Sequence, residues 1–321
     1  MARSGQRVIR TVTLSPGFDH EVHVDRIDPG EVGRVMSWRV HAAGKGMNVA
    51  RFVKTLGAEA HAYSLVGDLD ERRFRETAAA DGVHVDTFAV PGLTRDNLTL
   101  TSESLGAMAG HASGPRLGPV SSEVVDRLFS KLLCDVSPGD IVVLSGAIPD
   151  GLDVDTWARM AQSVVAAGGS VVVDGQGAAL VEAVRTGVVA MAKPNEHEAG
   201  AIPGVRVDDP LLSRAIAGLR WMVSHSVDEP VVSLGVRGIV HRWDDAIMLT
   251  SCPVAEARVA VAAGDAFVAG YCLGASGQGP TKLKPIDLAV AAASAHVAGD
   301  AGLRSIHERI ESIDSAVLDS L

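Results

Sequence analysis

Short β-branched runs alternate with helix-length amphipathic segments along this chain, and that rhythm limits the folds open to it more than any single motif. The runs lie at 8–14, 60–66, 141–144, 170–173, 188–191 and 230–234. Apolar residues at helical spacing fill 46–57, 70–81, 121–134, 154–168, 176–186 and 210–225, then 264–276, 284–298 and 307–320. Strands that are apolar along nearly their whole length are buried on both faces, and strands joined through helices pair in parallel. The expectation is an α/β protein, a three-layer αβα sandwich with a mainly parallel central sheet.

With 321 residues, 47% of them hydrophobic, and 34 glycines, the chain can bury a large core, and it reads as a single domain, 1–321. Two stretches break the rhythm. Residues 19–41 alternate polar and apolar positions around Asp28-Pro29-Gly30, and residues 95–112 form a second polar strand pair turning at Ser102-Glu103-Ser104. Together they predict a small β-sheet lid over the carboxyl edge of the main sheet. Such a lid would exclude water from a site there.

Lys and Arg number 29 against 39 Asp and Glu, a formal charge of -10 without a basic run, so neither nucleic acid nor an anionic membrane is an expected partner. A small anion would need a local positive site. The polar start, Met1 to Arg7, has no secretory apolar core, and no apolar run approaches the roughly 18 residues of a membrane span. Cys134, Cys252 and Cys272 are few, odd in number and widely spaced. That pattern belongs to a reduced, cytoplasmic protein and lacks metal-ligand spacing.

The chemistry-bearing residues sit in small-residue turns. Ala262-Ala263-Gly264-Asp265 runs into an apolar helix, placing a carboxylate in its first turn. Asp265 there is either an ordinary helix cap or a base beside free helix amides, which attract phosphate. Gly44-Lys45-Gly46-Met47-Asn48 is a glycine turn feeding a helix, without P-loop spacing. Lys45 is a solvated turn lysine or a cation for an anionic ligand. In Lys193-Pro194-Asn195-Glu196-His197-Glu198, Asn195 and Glu198 have the spacing of a capping box, and the same oxygens suit a hydrated magnesium ion. Ser145 and Gly146 end one strand, and Ser233, Gly235 and Gly238 surround the end of another. Asp19 follows the first strand, where it binds substrate hydroxyls or closes a turn.

In their order and spacing over almost the whole chain these segments resemble the ribokinase-like (PfkB) sugar kinases, nearest to the 1-phosphofructokinase and tagatose-6-phosphate kinase branch. The carriers are 13–19 (Thr-Leu-Ser-Pro-Gly-Phe-Asp), 29–35, 44–51, 144–146, 193–198, 233–235 and 263–265. The resemblance implies a ribokinase-like fold and in-line transfer of the ATP γ-phosphoryl group to an alcohol. It assigns Asp265 as general base, with Ala262, Ala263 and Gly264 forming the anion hole. Asp19, Gly44, Lys45, Asn48, Arg95 and Ser145 fall at the phosphosugar, Arg95 on the acceptor's own phosphate. Lys193, Asn195, Ser233, Gly235 and Gly238 fall at the nucleotide, with Glu198 near Mg2+ through water. The lid of such kinases often forms a homodimer interface.

The chain departs from the branch at its signatures. Ala262 stands where relatives carry glycine, Ser15 replaces an asparagine, Ala43 a glycine, Ala147 a serine, and Asp174-Gly175-Gln176-Gly177 replaces Asp-Thr-Ser-Gly. If position 262 requires a positive φ, its methyl costs about 1 kcal/mol. Three readings follow. Fructose 1-phosphate is the leading acceptor and tagatose 6-phosphate the second; a catalytically weak sensor of phosphosugar or nucleotide is the other class. Lys45 and Arg95 argue against an unphosphorylated acceptor.

Overall fold

The computed structural model describes residues 7–321 apart from 29, 103, 105, 106, 258, 260, 281, 282 and 301. Met1 to Gln6, Pro29 and Glu103 at the two expected turns, Leu105 and Gly106 of the second strand pair, and Ala260 of the C-terminal signature therefore lie outside the described residues.

The chain opens with β1 (Ile9–Thr13), the hairpin β2 (Gly17–Val24) and β3 (Val35–Ala43), helix α1 (Lys45–Thr55), β4 (Ala60–Gly67), α2 (Glu71–Ala80) and β5 (His84–Val90). A second hairpin, β6 (Arg95–Ser102) and β7 (Ala107–Ser113), precedes α3 (Ser122–Asp135), β8 (Ile141–Gly146), α4 (Thr156–Ala166), β9 (Ser170–Gly175), α5 (Gly177–Arg185) and β10 (Met191–Ala192). Then come α6 (Leu211–Ser224), β11 (Glu229–Ser233), β12 (Ile239–Trp243), β13 (Ala246–Ser251), α7 (Ala263–Ala275), α8 (Pro285–Val297), α9 (Leu303–Ile310) and β14 (Asp314–Ser320).

Ten strands form the large sheet in the order β14-β13-β12-β11-β10-β9-β8-β1-β4-β5. From β11 to β5 every pairing is parallel, and β12, β13 and β14 add an antiparallel extension. Side chains of successive strand residues point to opposite faces, so each apolar strand feeds two cores. Val12, Val142, Leu144, Val171 and Val173 pack against Leu128, Trp157, Met160, Leu180 and Leu219 of α3 to α6. Ile9, Ile141, Val143, Val172 and Val231 meet Val53, Phe267 and Leu288 of α1, α7 and α8. Each such side chain contributes roughly 1.5–3 kcal/mol of burial.

The two polar hairpins join as one four-stranded sheet, β3-β2-β6-β7, with β2 and β6 parallel. Phe18, Ala42, Met47, Phe74 and Val83 fasten it to the main body through α1 and α2.

Two expectations need correction. The segment 307–320 is not a helix: α9 stops at Ile310 and β14 pairs antiparallel with β13. Its sequence, Asp-Ser-Ala-Val-Leu-Asp-Ser, is mostly exposed at a sheet edge, so no buried face imposes strand periodicity; the pairing partner decides the conformation. The strand expected at 188–191 contracts to Met191–Ala192. Strand β5, His84–Val90, lies outside the sequence expectation: the adjacent Asp86 and Thr87 interrupt its apolar run, and its parallel pairing with β4 at the sheet edge decides the conformation.

Candidate active site

Strands β1, β8, β9 and β10 end side by side, and the residues that follow them meet the first turns of α1 and α7. Gly44 caps α1 with φ 119°, and a Cβ there would lie 2.6 Å from Thr13 Cγ2. Only glycine combines that conformation with that approach. The turn directs Lys45 inward: its Nζ lies 3.2 Å from Glu198 Oε1 and 3.4 Å from Asp174 Oδ1. Burial disfavours the ammonium, but Asp174, Glu198 and Asp265 outweigh that and hold its pKa above the usual lysine value. The reading of Lys45 as a solvated turn residue does not hold.

Asp174, at the end of β9, is the hub. Its Oδ1 also accepts from Lys193 Nζ at 3.1 Å, while its buried Oδ2 has no hydrogen-bond partner. Burial would raise the Asp174 pKa, but Lys193 and Lys45 keep it below the ordinary value. Lys193 reaches this carboxylate because Gly264 has no side chain: a Cβ at 264 would stand 3.1 Å from Lys193 Nζ.

Ala262 is the N-cap of α7 with φ 65° and ψ 11°, so the alanine does occupy the left-handed conformation that glycine would take without strain. Its carbonyl accepts from the amides of Asp265 and Ala266, both at 3.0 Å. The amides of Ala263 and Gly264 precede those first intrahelical bonds and sit at the positive end of the helix. Asp265, 5% exposed, accepts from Asn48 Nδ2 at 2.8 Å. Burial and the charge of Asp174 push its pKa up to about 7, against the pull of Lys45, Asn48 and Lys193. A carboxylate so poised can take a proton from a hydroxyl near neutral pH.

The capping box is present as well: Asn195 Oδ1 accepts from the amides of His197 and Glu198, and Glu198 Oε2 accepts from the amide of Asn195, each at 2.9 Å. The capping reading of that motif holds, and it leaves Glu198 Oε1 to meet Lys45. Asn195 bridges to Ser233, the last residue of β11; Gly235 opens the following turn and Gly238 closes it.

A second polar group forms where the small sheet leaves the body. Asp19 lies within β2, not in a turn, and accepts from Asn97 Nδ2 at 2.6 Å. Across the strand pair, Arg95 sits opposite Gly17 and donates to Ser15 O at 3.4 Å. Burial and the neighbouring Arg116 lower the Arg95 pKa, opposed by Asp19, and its buried Nε has no partner. The contacts of Lys45 thus run to Asp174 and Glu198, not to Arg95. Ser145, at the end of β8, is buried with its Oγ unpartnered, as is Thr13 Oγ1 on neighbouring β1.

Sequence reasoning missed Asp174. The signal was available, because an acid closing an otherwise apolar parallel strand at the ligand-binding edge needs cations.

Comparison with known proteins follows the same lines. The family model described as pfkB family carbohydrate kinase matches residues 16–305. A 1-phosphofructokinase of Xanthomonas campestris pv. campestris is 34% identical over 268 residues, covering 81% of each chain. One of Bacillus subtilis is 29% identical, covering 85% of this chain and 87% of the relative. Among solved structures, a Thermotoga maritima protein described as a possible 1-phosphofructokinase superposes with a TM-score of 0.84 at 21% identity, covering 98% of this chain and all of the other. Phosphofructokinase-2 from Escherichia coli in complex with fructose-6-phosphate gives 0.80 at 24% identity, covering 95% and 98%. The fold is ribokinase-like.

Proposed function

The chain belongs to the pfkB family of carbohydrate kinases, and we propose that it transfers the γ-phosphoryl group of ATP to fructose 1-phosphate, forming fructose 1,6-bisphosphate and ADP. One observation carries this: Asp265, a buried carboxylate with a pKa raised to about 7, is held by Asn48 in the first turn of α7. It takes the proton of the attacking hydroxyl, while the α7 amides of Ala263 and Gly264, after Ala262, receive the charge of the group in flight. Lys193 and Lys45 neutralise phosphate charge from the sides.

Support for an acceptor that already carries phosphate comes from Arg95, whose buried Nε lacks a partner and which faces a second guanidinium, Arg116. An anion satisfies both. Asp19, Asn97 and Ser145 line up as partners for sugar hydroxyls, with Gly44 keeping the turn close. Asn195, Ser233, Gly235 and Gly238 form the nucleotide side. The donor set also fits Mg2+: Asp174 Oδ2 is a hard oxygen that the lysines leave unpartnered, and Glu198, whose Oε1 meets Lys45, would reach the ion through water. Mg2+ there would supply charge neutralisation on the transferring phosphates.

We read residues 1–321 as one kinase domain, with 19–41 and 95–112 as its lid. Edge strand β3 exposes Val35, Met36 and Trp38, the last 63% exposed, which suits a homodimer formed through the lid. Among the described residues no helix is long and apolar enough to cross a membrane, and the three cysteines are free, in keeping with a cytoplasmic enzyme.

A coupled assay of ADP formation over a panel of phosphosugars, with ATP and magnesium, tests the proposal. Turnover is expected with fructose 1-phosphate. Faster turnover of tagatose 6-phosphate reassigns the acceptor, and tight phosphosugar binding without turnover on the whole panel replaces the kinase by a sensor. Sedimentation of the free enzyme tests the dimer.

A further inference from the structure

Asn48 holds Asp265, and Asn48 is itself held. Its Nδ2 donates to Asp265 Oδ2 at 2.8 Å, and its Oδ1 accepts from Arg51 Nη2 at 3.2 Å. The two ends of an asparagine amide are nearly alike in shape; turned over, the group would present a carbonyl to the carboxylate. Arg51 can only donate, so its contact leaves one orientation in which both ends are satisfied. Arg51 in turn is tied outward by an ion pair alone, its buried Nη1 having no hydrogen-bond partner. Its Nη1 lies 3.9 Å from Asp81 Oδ2, at the end of α2, and the same oxygen meets His41 Nδ1 at 2.9 Å. His41 belongs to β3 of the small sheet.

We propose that Arg51 is a positioning residue for the catalytic base: by fixing the Asn48 amide it sets the proton affinity of Asp265, and through Asp81 and His41 it ties that setting to strand β3. The inference rests on the assignment of Asp265 as base. Hydrogen bonding from Asn48 favours the ionised carboxylate, and so does positive charge nearby. Loss of the Arg51 contact therefore moves proton release to higher pH. The other charges facing Asp265 are Asp174 on β9, Lys45 on α1 and Lys193 after β10. Those facing Arg51 are Asp81 and, from α8, His296, whose Nε2 donates to Val261 O at 2.7 Å and which also faces Glu21 of β2; the Phe52 ring lies under the guanidinium. All of these remain when Arg51 alone is changed.

The test is the pH profile of kcat and of kcat/KM for the phosphosugar, at saturating ATP, for the wild type, Arg51→Met, Arg51→Lys and Asp81→Asn. In Arg51→Met the acid limb is expected to move up by about one pH unit, with kcat at pH 7 reduced about fivefold, recovery at high pH and an unchanged KM for ATP. Arg51→Lys, which keeps a donor and the charge, should restore part of the shift, and Asp81→Asn should shift the limb less in the same direction. Rates lowered equally at every pH, or limbs that coincide with wild type, overturn the proposal. Should Arg51→Met fail to fold, the limbs of the other two variants decide in the same way. Failure of the parent reading looks different: Asp265→Asn would retain turnover, or the wild type itself would show no acid limb.

Discussion

The two edges of the large sheet bury charge in opposite styles. At the amino edge, Asp140 accepts from the amides of Val8 and Ser137 at 2.8 and 3.0 Å and from Arg10 Nε at 2.9 Å. Arg10 Nη1 continues to Tyr63 Oη at 3.0 Å, Tyr63 donates to Asp135 at 2.6 Å, and Lys131 spans Asp135 and Asp86, which also meets His61. His61, Asp86 and Asp135 are close enough to share a metal ion, yet an ammonium already serves two of the three. At the carboxyl edge, by contrast, Asp174 Oδ2, Ser145 Oγ and Thr13 Oγ1 are buried without partners, and Asp265 is driven away from its ordinary pKa. The network at the amino edge is closed, whereas the carboxyl edge keeps unsatisfied buried oxygens, in keeping with the ligand site proposed there.

The sharpest way to break this contrast is to exchange function against stability at each edge. Asp265→Asn should reduce kcat about 10³-fold or more while the unfolding midpoint holds or rises, since the amide removes a carboxylate that burial and Asp174 disfavour. Steady-state kinetics with calorimetry checks both. Asp140→Ala should do the reverse, costing about 3–4 kcal/mol in denaturant unfolding by stranding Arg10, with kcat at low temperature within about twofold of wild type.

Next comes pH. With Asp265 proposed as the base, which must be ionised to act, kcat/KM should fall below pH 7 with a slope that steepens to about tenfold per unit. Stability runs the other way. The folded pKa of Asp265 lies above its unfolded value of 3.8, so the carboxyl favours folding when protonated and loses that contribution as pH rises from about 4 through 7. Asp265→Asn should flatten that part of the stability curve. Smaller again, Tyr63→Phe removes the hydroxyl between Arg10 and Asp135 and should cost about 1 kcal/mol without touching turnover. Ala262→Gly should relieve the left-handed alanine and raise stability by at most about 1 kcal/mol.

How much of this could be read from the sequence depends on how local the cause was. The turns at Gly44, Asn195 and Gly264, and the starts of α1 and α7, were legible because caps and small residues act within a few positions. So was the central sheet, whose apolar runs answer to burial on both faces. Strand β14 was not, since a partner 65 residues away at Thr250↔Ser315 settles it. Asp174 and the inward course of Lys45 were hidden for the same reason: their meaning lies in each other, 129 residues apart. The strain at Ala262 lay between these cases, visible as a substitution but measurable only as a torsion angle.

The hydrogen bond between Asn48 and Asp265 spans 217 residues. On a ribosome adding about 5–20 residues per second, the asparagine therefore waits roughly 10–40 s for its carboxylate to be made. Helices α7 and α8, which cover much of the face of β1 carrying Ile9, are synthesised late. Until then α1 alone, through Val49 and Val53, is available to cover that apolar face. Catalytic competence consequently arrives only once the chain is nearly complete, and slow late docking, more than local helix formation, should set the pace of refolding.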